Sequence, residues 1–277
     1  MPMSFRLFLT VLFLLLPWRL QAGDWMLSEG EQSLYGSLSL SRANSYWDDR
    51  RELQQESCTS RDWSTTLHYE YGYSYYRTLF AATSFERNQC GSESSTGIPD
   101  LKLGMRGRVD HFRNGYTWEL AVTLPVNGDT RDRRKPGSGL FGIEAGLFRT
   151  YRDDPYEKPF TVITHGVWGW GIGTTLWSGG GGQELWSDLN WRRRLSQQWR
   201  FKTWLSGRYS LSRDGAGSDY DFSSRKSTDY DKLSLGARFS RKLFRNTSLG
   251  LALEQALWGR STSQDTTLRL EFYRSWD

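Results

Sequence analysis

Past its first two dozen residues the chain has no uninterrupted apolar run of about eighteen residues, the length a membrane-spanning helix needs. Cysteine, proline and histidine are also scarce, at 2, 7 and 3 among 277 residues. Each scarcity closes a route. Without the long run there is no helical span, so any bilayer crossing must be made with strands. Two cysteines cannot staple a disulfide-dense scaffold or build a zinc cluster, but in an exported chain an even pair, Cys58 and Cys90, suggests one disulfide. Few prolines leave nearly every residue able to donate to a sheet ladder. A mean hydropathy of −0.65 leaves too little apolar material for a large soluble core.

What is abundant is glycine, at 28, and aromatics, with 14 each of Trp, Tyr and Phe. An outer-membrane barrel with a lipid face and a wet lumen has this composition, and so does a secreted β-sandwich. The N-terminus supplies an address. Arg6 gives a positive start, Leu7 to Leu16 is an apolar run too short to span a bilayer, and Leu20-Gln21-Ala22 ends in a small residue. These are the parts of a secretory signal peptide, so residues 1–22 are expected to be removed and 23–277 to form the mature domain. No cysteine follows the run to take a lipid anchor.

The closing stretch shows the design of the rest. In Thr266 to Trp276, Leu268, Leu270, Phe272 and Trp276 alternate with Arg269, Glu271, Tyr273 and Ser275, a period of two that makes a strand with unlike faces. The pattern recurs in Ser33–Arg42, Trp63–Glu70, Tyr75–Glu86, Asp100–Asp110, Tyr116–Val126, Leu140–Tyr151, Phe160–Gly173, Glu184–Leu195, Trp199–Leu211, Tyr230–Arg241 and Ser248–Trp258. That makes about twelve strands of ~10–12 residues, enough to cross a bilayer when tilted. Connections alternate between longer or glycine-rich and usually short, as outer loops and periplasmic turns do, and a sandwich has no reason to keep that alternation. The expected fold is therefore all-β: a transmembrane antiparallel barrel of about twelve strands in a Gram-negative outer membrane. An even count puts both termini in the periplasm. Cys58 and Cys90 then fall in the first two outer loops, which lie side by side.

If the apolar parity meets lipid, the other lines the lumen. Its cations are Arg77, Lys102, Arg106, Arg108, Arg192, Arg194, Arg200, Lys202, Arg208, Lys232, Arg238 and Arg269; its acids are Glu70, Asp110, Glu119, Glu144, Asp188, Glu254 and Glu271. A basic interior accords with the sequence pI of about 9.2. Rings of Arg and Lys favour anion passage, whereas oppositely charged neighbours can simply pair and fill a narrow lumen. We expect Arg106, Arg108, Arg192, Arg194, Arg200, Lys202, Arg208 and Arg238 to attract and relay an anion, with Glu119, Glu144 and Glu254 holding some of them in place.

Other chemistries fit less well. His68 precedes Tyr69-Glu70, His111 precedes Phe112-Arg113 and His165 precedes Gly166-Val167, so none has the His-x-Ser spacing of barrel lipases. His68 with Glu70 is a same-face pair without an identifiable nucleophile, and no enzymatic role is expected. The run Gly179–Gly182 lacks the following helix and lysine of a phosphate loop, so no cofactor is expected, nor a metal. The basic residues are spread at period two over many strands of an exported chain, which argues against nucleic acid.

The segment Gly97-Ile98-Pro99-Asp100-Leu101-Lys102-Leu103-Gly104-Met105-Arg106 resembles a strand entry of outer-membrane channels of the phenol-degradation (MetA-pathway) type. That family typically has a second glycine where Pro99 stands. Thr123-Leu124-Pro125-Val126-Asn127-Gly128-Asp129 resembles the same family's strand-to-loop exit. The resemblance covers about a quarter of the chain and implies a barrel that moves small organic molecules, with no catalytic motif to transfer. Small twelve-stranded channels for acidic sugars are similar in size and basic lumen.

The expected function is passive or facilitated passage of small solutes, anionic or aromatic-acid in character. The alternative is a non-conducting barrel serving as scaffold or surface receptor through its outer loops. Expected partners are outer-membrane lipid and lipopolysaccharide, the solute itself, and the barrel assembly machinery acting through the C-terminal strand.

Overall fold

A strand that is apolar on one face and polar on the other needs two unlike surroundings, and a closed barrel supplies both. The computed structural model describes residues 26–109, 116–126, 140–152, 166–178, 182–211, 230–244 and 246–276. Its strands are β1 (Gln32–Trp47), β2 (Leu53–Ser74), β3 (Arg77–Cys90), β4 (Glu93–Gly97), β5 (Asp100–Arg108), β6 (Tyr116–Pro125), β7 (Gly142–Arg152), β8 (Val167–Trp177), β9 (Gly182–Arg194), β10 (Trp199–Ser210), β11 (Asp231–Phe244), β12 (Thr247–Arg260), β13 (Thr262–Ser263) and β14 (Thr266–Trp276).

Twelve of these form the wall, each antiparallel to its neighbours, while β4 pairs only with the far end of β3 and β13 with that of β1. Closure is made by the first and last strands, which pair from Gln32↔Trp276 to Arg42↔Thr266. The strand that ends the chain is therefore the seam of the barrel. Both ends of the described chain lie at one rim, here called the terminal rim. The proposed signal peptide, His111, His165, Asp110 and Gly179 to Gly181 lie outside the described residues.

The faces separate as the alternation predicts. On adjoining β1, β14 and β12, Leu38, Leu40, Leu268, Leu270, Leu251 and Leu253 stand at 44–55% exposure in one outward patch. Water would penalise such a surface and hydrocarbon does not. Serines, threonines and carboxylates take the inner positions, with Ser33, Ser37, Thr78, Glu119 and Glu271 buried.

Several boundaries differ from the sequence reading, because polar strand extensions carry the composition of loops. The stretch read as a loop from Ala43 to Arg61 is mostly strand, since β1 runs to Trp47 and β2 begins at Leu53. Tyr71 to Ser74, between the expected strands Trp63–Glu70 and Tyr75–Glu86, completes β2, and Tyr75-Tyr76 makes the turn. Of the strand expected over Phe160–Gly173, residues 160–165 lie outside the described residues, and the rest belongs to β8, which continues to Trp177. At 22 residues, and ~3.3 Å each, β2 is about 70 Å long and rises far above the ~25 Å apolar band. The cysteines sit in these extensions rather than in loops. Cys58 on β2 and Cys90 at the end of β3 form a disulfide with their Cα atoms 5.6 Å apart.

At the terminal rim the segment before β1 turns against the barrel. Gly30 N–H donates to the Gly72 carbonyl (2.9 Å), Gly72 N–H donates to that of Glu31 (2.8 Å), and Leu27 N–H donates to Thr78 Oγ1 (3.1 Å). A Cβ on Gly72 would lie 1.8 Å from the Ser28 carbonyl oxygen, so only glycine permits this approach. At the opposite rim Asp231, 0% exposed, accepts from Arg51 of the β1–β2 tip (3.0 Å) and from Arg260 of β12 (3.0 Å).

Gly72→Ala is expected to free residues 26–31 from the rim, read as new protease cleavage near Ser28 with the barrel's gel mobility unchanged. Reduction of the disulfide, or Cys58→Ser, is expected to speed cleavage of the β2–β3 extension, again without altering the heat-modifiable mobility of the barrel.

Candidate functional site

Register decides which lumen charges meet. On β2, β5, β6 and β7 the inward residues form one network. Arg106 donates through Nη1 to Glu70 Oε1 (2.6 Å) and through Nε to Glu119 Oε2 (2.7 Å). Lys102 Nζ reaches Glu119 Oε1 (3.2 Å) and Glu144 Oε1 (2.8 Å). His68 Nε2 lies 2.9 Å from Glu70 Oε1, and Ser33 donates to Glu70 Oε2 (3.2 Å). Phe80 lies under these cations, its ring centroid 5.0 Å from Arg106 Cζ and 5.7 Å from Lys102 Nζ. Gly104 makes room for it, since a Cβ there would come within 2.3 Å of the ring. In this wall the cations are answered by carboxylates.

The wall of β9, β10 and β11 is built differently. Its ladders set Arg194 opposite Arg200, Arg192 opposite Lys202, and Lys202 opposite Arg238, all on the inner face. Like charges directly across a ladder destabilise a sheet unless an anion or water lies between them. The nearby acids are few: Asp188 accepts from Asn190 (2.8 Å), and Glu271 is taken by Arg238 (2.8 Å). Lys202 Nζ stands 5.8 Å above the Trp204 ring. Nearer the opposite rim Arg208 pairs with buried Glu184 (3.0 Å) and donates to Tyr230 Oη (3.3 Å). On β14 Arg269 lies 3.5 Å from Glu254 of β12 and 3.8 Å from Glu271 of its own strand.

Aromatic rings lie flat on the inner wall where the partner strand has glycine. A Cβ on Gly236 would fall 2.1 Å from Trp204, and one on Gly173 2.3 Å from Trp186. Trp186 also covers Gly146, where a Cβ would stand 2.8 Å away. The glycines thus keep bulky rings out of the bore and present their faces to it.

The sequence-derived candidates fall into separate groups. Arg192, Arg194, Arg200, Lys202 and Arg238 come together, Arg106 is clasped between Glu70 and Glu119, and Arg208 stands apart on Glu184. Glu119 and Glu144 hold Lys102, and Glu119 also holds Arg106, while Glu254 meets Arg269, which was not among the candidates. Arg108 ends β5 at the terminal rim, 5.8 Å over Tyr75. One assignment is corrected: Arg77 pairs with Gly107 on the face of Leu79 and Trp118, so it points outward and not into the lumen. Sequence reading missed Glu70, Glu184 and Glu271 as partners and Trp186 and Trp204 as wall panels. Parity places all five inside, but only register shows what each one touches.

No protein-family model matches the chain, and no curated protein matches it. Among solved structures it is similar to an outer-membrane channel from Pseudomonas putida F1, at 13% identity and a TM-score of 0.70, over 93% of this chain and 100% of that one. It is less similar to the translocator domain of the autotransporter NalP from Neisseria meningitidis, at 10% identity and TM-score 0.49, over 90% and 89%. The first likeness shows the fold, that of an outer-membrane channel, as the resemblance at Gly97–Arg106 implied. The closed wall and its apolar exterior place the chain in a bacterial outer membrane.

Glu119→Gln is expected to lower stability by about 2 to 3 kcal/mol. It leaves two lumen cations undercompensated, at a cost below that of a fully buried pair because Lys102 keeps contact with water. Denaturant unfolding in micelles measures it, and an unchanged midpoint would mean that water already screens the pair.

Proposed function

We propose that the barrel conducts small anionic solutes, aromatic acids among them, by passive or facilitated diffusion, and performs no chemistry on them. The observation that carries this reading is the like-charge register Arg194↔Arg200, Arg192↔Lys202 and Lys202↔Arg238. Cations set opposite cations across a ladder cost stability, Arg238 meets Glu271 beside them, and an anion passing between Arg194, Arg200 and Lys202 offsets that cost further. Trp204 beside Lys202, and Trp186 opposite Arg208 on the ladder, add flat apolar faces next to positive charge, which suits a planar carboxylate. Arg106, held by two carboxylates, shapes the wall and does not relay. In this reading the terminal rim faces the periplasm, the long extensions face outward, and the C-terminal strand that forms the seam is the one presented to the barrel assembly machinery.

A scaffold or receptor is the second reading. What favours it is the segment 26–31, which packs over Thr78 at the terminal mouth, and the length of the β2 extension.

Single-channel recording from the refolded mature barrel, with the reversal potential taken under a salt gradient, separates the two. Stable openings that prefer anions are expected. Lys202→Glu combined with Arg200→Glu is expected to shift the anion-to-cation permeability ratio severalfold or more toward cations. Cation preference in the unmodified protein would overturn the electrostatic reading, and silence from a correctly folded barrel would favour the scaffold.

A further inference from the structure

The inward cations of β9, β10 and β11 are stacked in rungs as well as set in opposing pairs. Arg200 and Lys202 are two residues apart on β10. The rung Arg194↔Arg200 and the rung Arg192↔Lys202↔Arg238 are therefore about 7 Å apart, at ~3.3 Å per residue. Two acids lie among them. Asp188 accepts from the Asn190 amide at 2.8 Å, and Glu271 is reached by Arg238 at 2.8 Å and by Arg269 at 3.8 Å. Glu271 is thus shared between two arginines, and the buried Arg238 Nε has no acceptor among the described residues. Trp204, the next inward residue after Lys202 on β10, lies across Gly236, where a Cβ would fall 2.1 Å from the indole. It turns a ring face to the bore, with Lys202 Nζ 5.8 Å from its centroid. The patch offers positive charge at two levels and a flat apolar surface beside the second.

We propose that this patch selects dicarboxylates whose two anionic groups stand about one rung apart, with a rigid para-benzenedicarboxylate the best-matched case. The inference rests on the conduction reading for what the patch is used for, and on the ladder register for what it binds. A monocarboxylate answers one rung and leaves the other opposed. A dicarboxylate of matching length answers both, and its second contact is intramolecular, made without a second loss of translational freedom. Guanidinium takes a carboxylate through two parallel N–H···O bonds, which suits the Arg194–Arg200 rung, while the compact Lys202 ammonium needs only a point of negative charge. Sulfate carries the same charge at one centre and cannot span the rungs. A ring between the carboxylates holds them apart and brings its face toward Trp204.

The test is calorimetric titration of the folded mature barrel in non-ionic detergent at neutral pH and low salt, with terephthalate, its ortho isomer phthalate, benzoate and sulfate as probes. Terephthalate is expected to bind about tenfold more tightly than benzoate, the gain of one charge-assisted contact, and more tightly than phthalate or sulfate. Arg200→Gln and Arg194→Gln are each expected to weaken terephthalate about tenfold and benzoate far less, since a monocarboxylate can use the other rung. Arg241→Gln removes the same charge from the outward face beside Trp199 and is expected to change neither. Heat-modifiable gel mobility confirms that each variant folds, and either rung variant carries the test alone. Equal affinity for terephthalate and benzoate, or for terephthalate and phthalate, would overturn the proposal. Sulfate binding as tightly as terephthalate would overturn it too, leaving a simple anion patch. Conduction fails separately. Preferential terephthalate binding by a barrel that never opens in single-channel recording would keep the site and discard passage, whereas anion-selective openings without that preference would keep passage and discard the site.

Discussion

The structure depends first on the hydrogen bonds between β1 and β14. Hydrocarbon offers no partner to a backbone N–H or C=O, so a sheet with one open edge cannot persist there. Eleven registered pairs from Gln32↔Trp276 to Arg42↔Thr266 remove the edge. Once the seam is closed, each strand has lipid on one side and an enclosed space on the other, and the two-residue period of the sequence becomes a radial division. Leu268 and Leu270 go out and Arg269 and Glu271 go in because β14 is the seam and the pleat leaves no other choice.

Closure also concentrates charge. Side chains that would point into bulk water on an open sheet face one another across a bore, and their pairing follows from ladder register. One wall answers Lys102 and Arg106 with Glu70, Glu119 and Glu144 and forms a network that stiffens it. The other sets Arg192, Arg194, Arg200, Lys202 and Arg238 in mutual opposition with few acids beside them. The two walls have the same residue types in different registers: the first sets cation beside acid across its ladders, and the second sets cation opposite cation.

Glycine divides the interior in a similar way. Gly104, Gly173 and Gly236 each stand where a ring from the neighbouring strand lies across the backbone. The high glycine and aromatic contents are thus one feature. A tryptophan inside a bore obstructs it unless the wall beneath lacks a Cβ. Gly72 and Gly107 use the same allowance at the terminal rim, one for the segment before β1 and one for Trp118.

Much of this was legible in the sequence. The period of two gave the strands, their number and nearly every inward or outward assignment, because the pleat couples parity to face without reference to anything distant. Arg77 defies a composition reading because Tyr75–Glu86 carries Phe80 and Phe85 on opposite parities, so its lipid and lumen faces are hard to separate before burial is known. The extensions holding Cys58 and Cys90 have the composition of loops because, above the bilayer, both faces of a strand meet water and the alternation disappears. Only the tertiary structure decided which cations meet carboxylates and which stand opposite cations, and which glycine lies under which ring. Those facts turn on the stagger between neighbouring strands. A slip of two residues would keep every side chain on its face and change every partner it meets.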